Sequence, residues 1–165
     1  ATVVQKDSLS KNRVKIKDRK LVTQFSNNIR SDFSYLNRVE ESPRDESDLF
    51  FKQNGKSVFK EVCPMVAKLI SEQLIDAGLD ASDISQFWLH QANSNMCRFI
   101  MTKILGTDDF DADRAPMILS EFGNVASAGS LLSFHLNNKL ENGDKGIICS
   151  FGAGYSICSL IIEKE

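Results

Sequence analysis

From about residue 50 to residue 165, the hydrophobic periodicity switches repeatedly between a helical and an extended repeat. That alternation constrains the fold more than any other feature of the chain. In "SVFKEVCPMVAKLISEQLIDAGL" (57–79), Val58, Phe59, Val62, Met65, Val66, Leu69, Ile70 and Leu74 recur at helical spacing. Ser57 is the expected N-cap and Gly78 the expected C′ residue; Pro64 predicts a kink or the true first turn. "DISQFWLH" (83–90) is an apolar run of strand length with Asp83 in the turn before it, and "NSNMCRFIMTKILG" (93–106) is helical again, ending at Gly106. "APMILS" (115–120) predicts a short buried strand. "ASAGSLLSFHLNNKL" (126–140) is helical in length, and its small, apolar start predicts close packing. "DKGIICSF" (144–151) and "YSICSLIIEK" (155–164) are apolar strands joined by "GAG" (152–154), the pattern of an antiparallel hairpin.

Helix, strand, helix, strand, helix, strand, strand is an α/β order. It predicts a mixed, mostly parallel five-stranded sheet covered by helices and closed by an antiparallel hairpin. Residues 1–49 are polar and irregular and read as a connecting or covering segment, against a domain at 50–165. "VKIKDRKLVTQF" (14–25) is a strand or an extended arm, and Glu40–Asp48 is a solvated charge run.

The net charge of −2 over 165 residues gives no sign of a nucleic-acid or membrane surface. The apolar runs fall short of the roughly 18 residues that a membrane span needs. The N-terminus has no signal-peptide core. It also lacks an initiator Met and starts on "TVV" like the tail of a strand, so a fragment or processed piece is expected. Cys63, Cys97, Cys149 and Cys158 form no C-x-x-C pair and no metal-ligand spacing with the two histidines. Buried, inert thiols in a reduced cytoplasmic protein are the simplest reading, with no metal.

Sites in open α/β sheets form where strands end and helices begin. Three stretches qualify: "LHQAN" (89–93), "SEFGNVASAG" (120–129) and "SFGAGYS" (150–156). His90 and Asn124 each follow an expected strand and would converge in one crevice. Two neutral donors aimed at one point suit a carbonyl that becomes an enolate. Gly152 and Gly154 let backbone N–H groups approach a second anionic oxygen. Singly, each feature also has an ordinary structural use: a satisfied histidine, a turn asparagine, a tight hairpin.

Together these residues resemble the C-terminal half of the β-ketoacyl-[acyl-carrier-protein] synthase III family of thiolase-fold condensing enzymes. The resemblance rests on "NGKSVFK" (54–60), "HQAN" (90–93), "FGNVASAGS" (122–130) and "GDKGIICSFGAGYS" (143–156), in order and at family-like spacing. It implies a thiolase-like half. It also implies that His90 and Asn124 are the histidine and asparagine of a Cys-His-Asn triad that stabilises an enolate during decarboxylative Claisen condensation. It gives the Gly152–Ala153 turn a backbone oxyanion role and places Asn93, Phe59 and Gly55 near a pantetheine arm. No cofactor is implied beyond CoA or acyl-carrier-protein thioesters as substrates. The implied partners are the N-terminal half of the same enzyme, acyl carrier protein, and a second copy in a homodimer.

The nucleophile of the triad is not expected here, since none of the four cysteines opens a helix in the family's context. This chain alone is therefore expected to be inactive. The family's arginine two residues after the HQAN asparagine is Asn95, with Arg98 one turn further on, and its Thr-Ser after Gly-Asn is Val125-Ala126. These departures suggest a specialised synthase. Two alternatives stay open: a non-catalytic partner subunit of the same fold, and acyl transfer to an alcohol or amine acceptor.

Overall fold

The computed structural model of the chain describes residues 4–6, 14–31 and 51–165. The elements run β1 (Val14–Thr23), β2 (Ile29–Ser31), β3 (Phe51–Gln53), α1 (Gly55–Asp76), β4 (Ile84–Leu89), α2 (Ser94–Leu105), α3 (Leu119–Phe122), α4 (Ala128–Asn137), β5 (Lys145–Gly152) and β6 (Ser156–Lys164). The main sheet has the order β1-β6-β5-β4, and β2 pairs with β3 in a separate antiparallel ribbon. The α/β class, the strand at 83–90, the helix at 93–106 and the closing hairpin are as expected.

Two features of the sheet differ from expectation. Among the described residues it has four strands rather than five, and β4·β5 is its one parallel pair. The expected strand at 115–120 does not form. Pro116 has no N–H to give a ladder, and side chains take up the neighbouring backbone groups. Gln91 Nε2 and Ser133 Oγ donate to the Pro116 carbonyl at 3.3 and 3.1 Å, and Gln91 Oε1 accepts from the Ile118 N–H at 3.1 Å. The chain then turns into α3.

Of the segment 14–25, Val14–Thr23 forms a strand. β1 pairs with β6 along the sheet edge, so part of residues 1–49 is built into the sheet of the 50–165 region. Its lysines form ion pairs with the neighbouring strand and C-terminus, Lys17 with Glu163 and Lys15 with Glu165, both at 3.3 Å. A charged edge of this kind discourages further strand pairing. The charge run 40–48 lies outside the described residues.

Helix α1 begins earlier than Ser57. Asn54 is the N-cap, its side-chain oxygen accepting the Ser57 N–H at 3.2 Å, and Pro64 lies inside the helix, past its first turn. Gly78 follows the end of α1, and Gly106 caps α2 in the left-handed conformation. α1 and α2 cover one sheet face, where Val62, Val66, Ile70, Ile100 and Met101 meet Phe87, Leu89, Ile147, Ile157 and Ile161. Successive β4 residues alternate sides. Trp88 therefore joins Ile148, Ile162, Leu140 and Phe134 on the opposite face, edge-on to Phe134 at 4.8 Å. The small start expected to pack closely does so only in part: Ala126–Ala128 are exposed, whereas Gly129 and Ser130 are buried, and a Cβ on Gly129 would sit 3.0 Å from Gln91 Cβ. No helix among the described residues is long and apolar enough to cross a membrane.

Gly146 lies directly under the Trp88 ring, and a Cβ there would overlap ring carbons. Gly146→Ala should therefore lower stability by about 1–3 kcal/mol through overpacking. Urea unfolding is the check; an unchanged midpoint would contradict this packing.

Candidate active site

Strand β4 delivers the site. It is almost wholly buried from Ile84 to Leu89, so its direction is fixed by the core, and His90 is the first residue past its end. Its parallel pairing with β5 sets Leu89 opposite Cys149. His90 and Ser150 come next on each strand, and His90 Nδ1 lies 3.1 Å from Ser150 Oγ. The ring stacks obliquely on Phe151, with centroids 4.3 Å apart. His90 is 8% exposed. Burial pushes its pKa from 6.5 down to about 4, so the ring is neutral at neutral pH.

Asn124 reaches the site from the loop after α3 rather than from a strand, which corrects the expectation of equivalent strand-end positions. Gly123 stands at φ 64°, ψ −161°, a conformation essentially restricted to glycine, and this turns the chain toward the cavity. Asn124 Oδ1 then accepts the Ala126 N–H at 3.0 Å. With its oxygen so engaged, the side chain offers its Nδ2–H2 as the free end. Ala126 adopts φ 55° to close this turn.

His90, Asn124, Gly152, Ala153, Asn93, Phe59 and Gly55, the residues singled out from sequence, all line one cavity of about 670 Å³. That volume suits a small-molecule ligand. Asn93 is also the N-cap of α2, its Oδ1 accepting the Asn95 N–H at 2.8 Å, which leaves its amide NH2 unused by the cap. Ile29, Val58, Met96 and Phe151 add apolar wall, and among the described residues no charged side chain lines the cavity. Neutral donors in a partly apolar cavity favour a carbonyl oxygen that gains negative charge. Among the described residues, no cluster of three or more His, Cys, Asp or Glu side chains is placed to hold a metal cation.

Residues 74–164 match the model of the family described as 3-oxoacyl-[acyl-carrier-protein (ACP)] synthase III C terminal, over more than half of the chain. The chain belongs to this family. It is 46% identical, over its whole length, to the beta-ketodecanoyl-[acyl-carrier-protein] synthase of Pseudomonas aeruginosa, of which it covers 48%. It is 34% identical over 69% of its length to the beta-ketoacyl-[acyl-carrier-protein] synthase III of Latilactobacillus sakei, covering 35% of that protein. The chain thus spans about half the length or less of the curated relatives it matches. Among solved structures, a 3-oxoacyl-(acyl-carrier-protein) synthase III superposes on 99% of the chain, covering 50% of that structure, with TM-score 0.73 at 22% identity. The enzyme of the same name from Aquifex aeolicus superposes on 93% of the chain, covering 46% of that structure, with TM-score 0.70 at 16% identity. These likenesses show the fold, a thiolase-type half.

None of the four cysteines of this synthase III family member lines the cavity. Burial raises the thiol pKa of Cys63 to about 11 and of Cys97 to about 12, and it raises that of Cys149 as well, so all three are poor nucleophiles. Cys158, against expectation, is exposed; it alternates away from the core on β6. Arg98 is exposed on α2 and reaches Asp108, its Nη2 3.4 Å from the carbonyl and 3.8 Å from the carboxylate. His135 is exposed near the end of α4, away from the cavity.

Sequence reasoning passed over Gln91 and Ser150. Gln91 is 1% exposed; besides its bonds to Pro116 and Ile118, its Nε2 donates to the Leu89 carbonyl at 3.0 Å. It fastens the 115–118 loop to the end of β4. Its place inside HQAN was the available signal. Ser150 carried none, because a serine in an apolar strand marks nothing until the neighbouring strand's register is known.

Two outcomes follow from this geometry. The unfolded chain binds a proton at His90 near pH 6.5, but the folded chain does so only near pH 4. The stability associated with the neutral ring is therefore whole above pH 6.5 and falls, by a few kcal/mol, as pH drops toward 4. Urea unfolding across that range should show wild type losing more stability than His90→Gln; parallel profiles would contradict a buried neutral ring. Gly123→Ala should cost about 1–3 kcal/mol of backbone strain and displace Asn124, which a crystal structure of the variant would show.

Proposed function

We propose that the chain is the C-terminal half of a decarboxylating condensing enzyme that joins an acyl thioester to malonyl-carrier protein. One observation carries this reading: His90 and Asn124, both neutral and each with one end already engaged, line the same cavity. The nucleophilic cysteine belongs to the part of its relatives' length that this chain does not span. On this reading the chain is inactive alone and works as part of a cytoplasmic homodimer.

In the first stage the cysteine thiolate attacks the acyl thioester and expels the carrier thiol. The Gly152–Ala153 turn, which lines the same cavity, supports that oxyanion with a backbone N–H. In the second stage the malonyl carboxylate leaves as CO2, and its C–C bonding pair becomes an enolate. His90 Nε2 and Asn124 Nδ2 donate to the enolate oxygen as its charge grows. The enolate carbon then attacks the acyl-cysteine carbonyl, and the thiolate leaves. Asn93, Phe59 and Gly55 hold the pantetheine arm. The name of the Pseudomonas aeruginosa relative, a beta-ketodecanoyl synthase, supports a medium-chain acyl primer, and apolar Ile29, Val58 and Met96 are compatible with one.

Removing one donor of an oxyanion site typically lowers turnover by about 10²–10³-fold. His90→Ala and Asn124→Ala in the full-length protein should each lose activity on that scale in decarboxylation of malonyl-carrier protein, with thermal melting little changed. Retained turnover in either variant would remove that residue from the mechanism.

A further inference from the structure

We infer that Ser150 is a positioning residue for His90: its hydroxyl donates to Nδ1 and holds the ring in the tautomer that carries its proton on Nε2. This rests on the reading of His90 as an oxyanion donor. A neutral imidazole has one N–H and one lone pair, so the partner of Nδ1 decides which of them faces the substrate. Among the described residues, Ser150 Oγ at 3.1 Å is the side-chain partner of that nitrogen. The Ser150 hydroxyl has no other side-chain partner among those residues. Donation to Nδ1 places its proton on a good acceptor and leaves Nε2–H for the cavity. The reverse arrangement turns the Nε2 lone pair toward an oxygen that is becoming negative, which is repulsive.

The placement is built into the fold. The parallel register of β4 and β5 carries His90 alongside Ser150, and the Phe151 ring packs against the imidazole. Ser150 itself does not line the cavity, so its influence passes through His90.

The test uses full-length protein labelled with 15N-histidine, the His90 ring signals being assigned by their loss in His90→Ala. Two-bond proton–nitrogen correlations should show a protonated Nε2 and a bare Nδ1 in wild type. Ser150→Ala should raise the population of the other tautomer and lower kcat for malonyl decarboxylation by about tenfold, the scale of one hydrogen bond, with KM little changed. Ser150→Thr should restore both. A wild-type ring protonated on Nδ1 overturns the proposal without any variant. So does Ser150→Ala with an unchanged tautomer, whatever its rate. Because the tautomer is read from the ring itself, this outcome stays separate from the mechanistic reading, which fails instead if His90→Ala retains turnover.

Discussion

The parallel pairing of β4 with β5 is the constraint on which the site depends. Both strands are buried along most of their length, so neither slides without moving a whole set of apolar side chains. Trp88 packed over Gly146 locks the same register from the opposite face. With Leu89 opposite Cys149, the residues that follow them, His90 and Ser150, come side by side, and His90 reaches the cavity. The histidine's position and its hydrogen-bond partner thus come from core packing, not from the loop that follows.

Buried amides extend this rigidity to the rest of the site. Gln91 ties the 115–118 loop to the end of β4. On the same strand, Gln86 Nε2 donates to the Asp113 and Asn137 carbonyls at 2.9 and 3.0 Å, and its Oε1 accepts the Lys139 N–H at 2.7 Å. A segment without its own ladder is therefore fixed at both ends, by Gln86 of β4 and by Gln91 just past its end. It leads into α3, Gly123 and Asn124. Every hydrogen-bonding atom of the two amides is used, which is the condition under which buried polar groups specify a structure rather than weaken it.

The α/β class, the helices at α1, α2 and α4 and the closing hairpin were legible because periodicity reports which faces are buried. The residues of the cavity were legible because the motifs resemble a known family and each falls at the end of an element. The 115–120 segment was misread for a physical reason: "APMILS" is apolar enough for a strand, but its backbone is satisfied by Gln91 and Ser133, residues distant in sequence. The N-cap moved from Ser57 to Asn54 because both suit the role and only the entry of the chain from β3 decides between them. Ser150 stayed silent because its role depends on strand register. The proposed nucleophile is beyond the reach of either reading, since the chain spans 48% of the Pseudomonas aeruginosa relative.

The central claim is that His90 and Asn124 serve one oxygen. A crystal structure of the full-length protein with a non-decarboxylating malonyl thioester analogue tests it directly. The thioester oxygen should lie within hydrogen-bond distance, about 2.7–3.1 Å, of both His90 Nε2 and Asn124 Nδ2. A thioester oxygen held by only one of them, or turned away from both, would contradict the account.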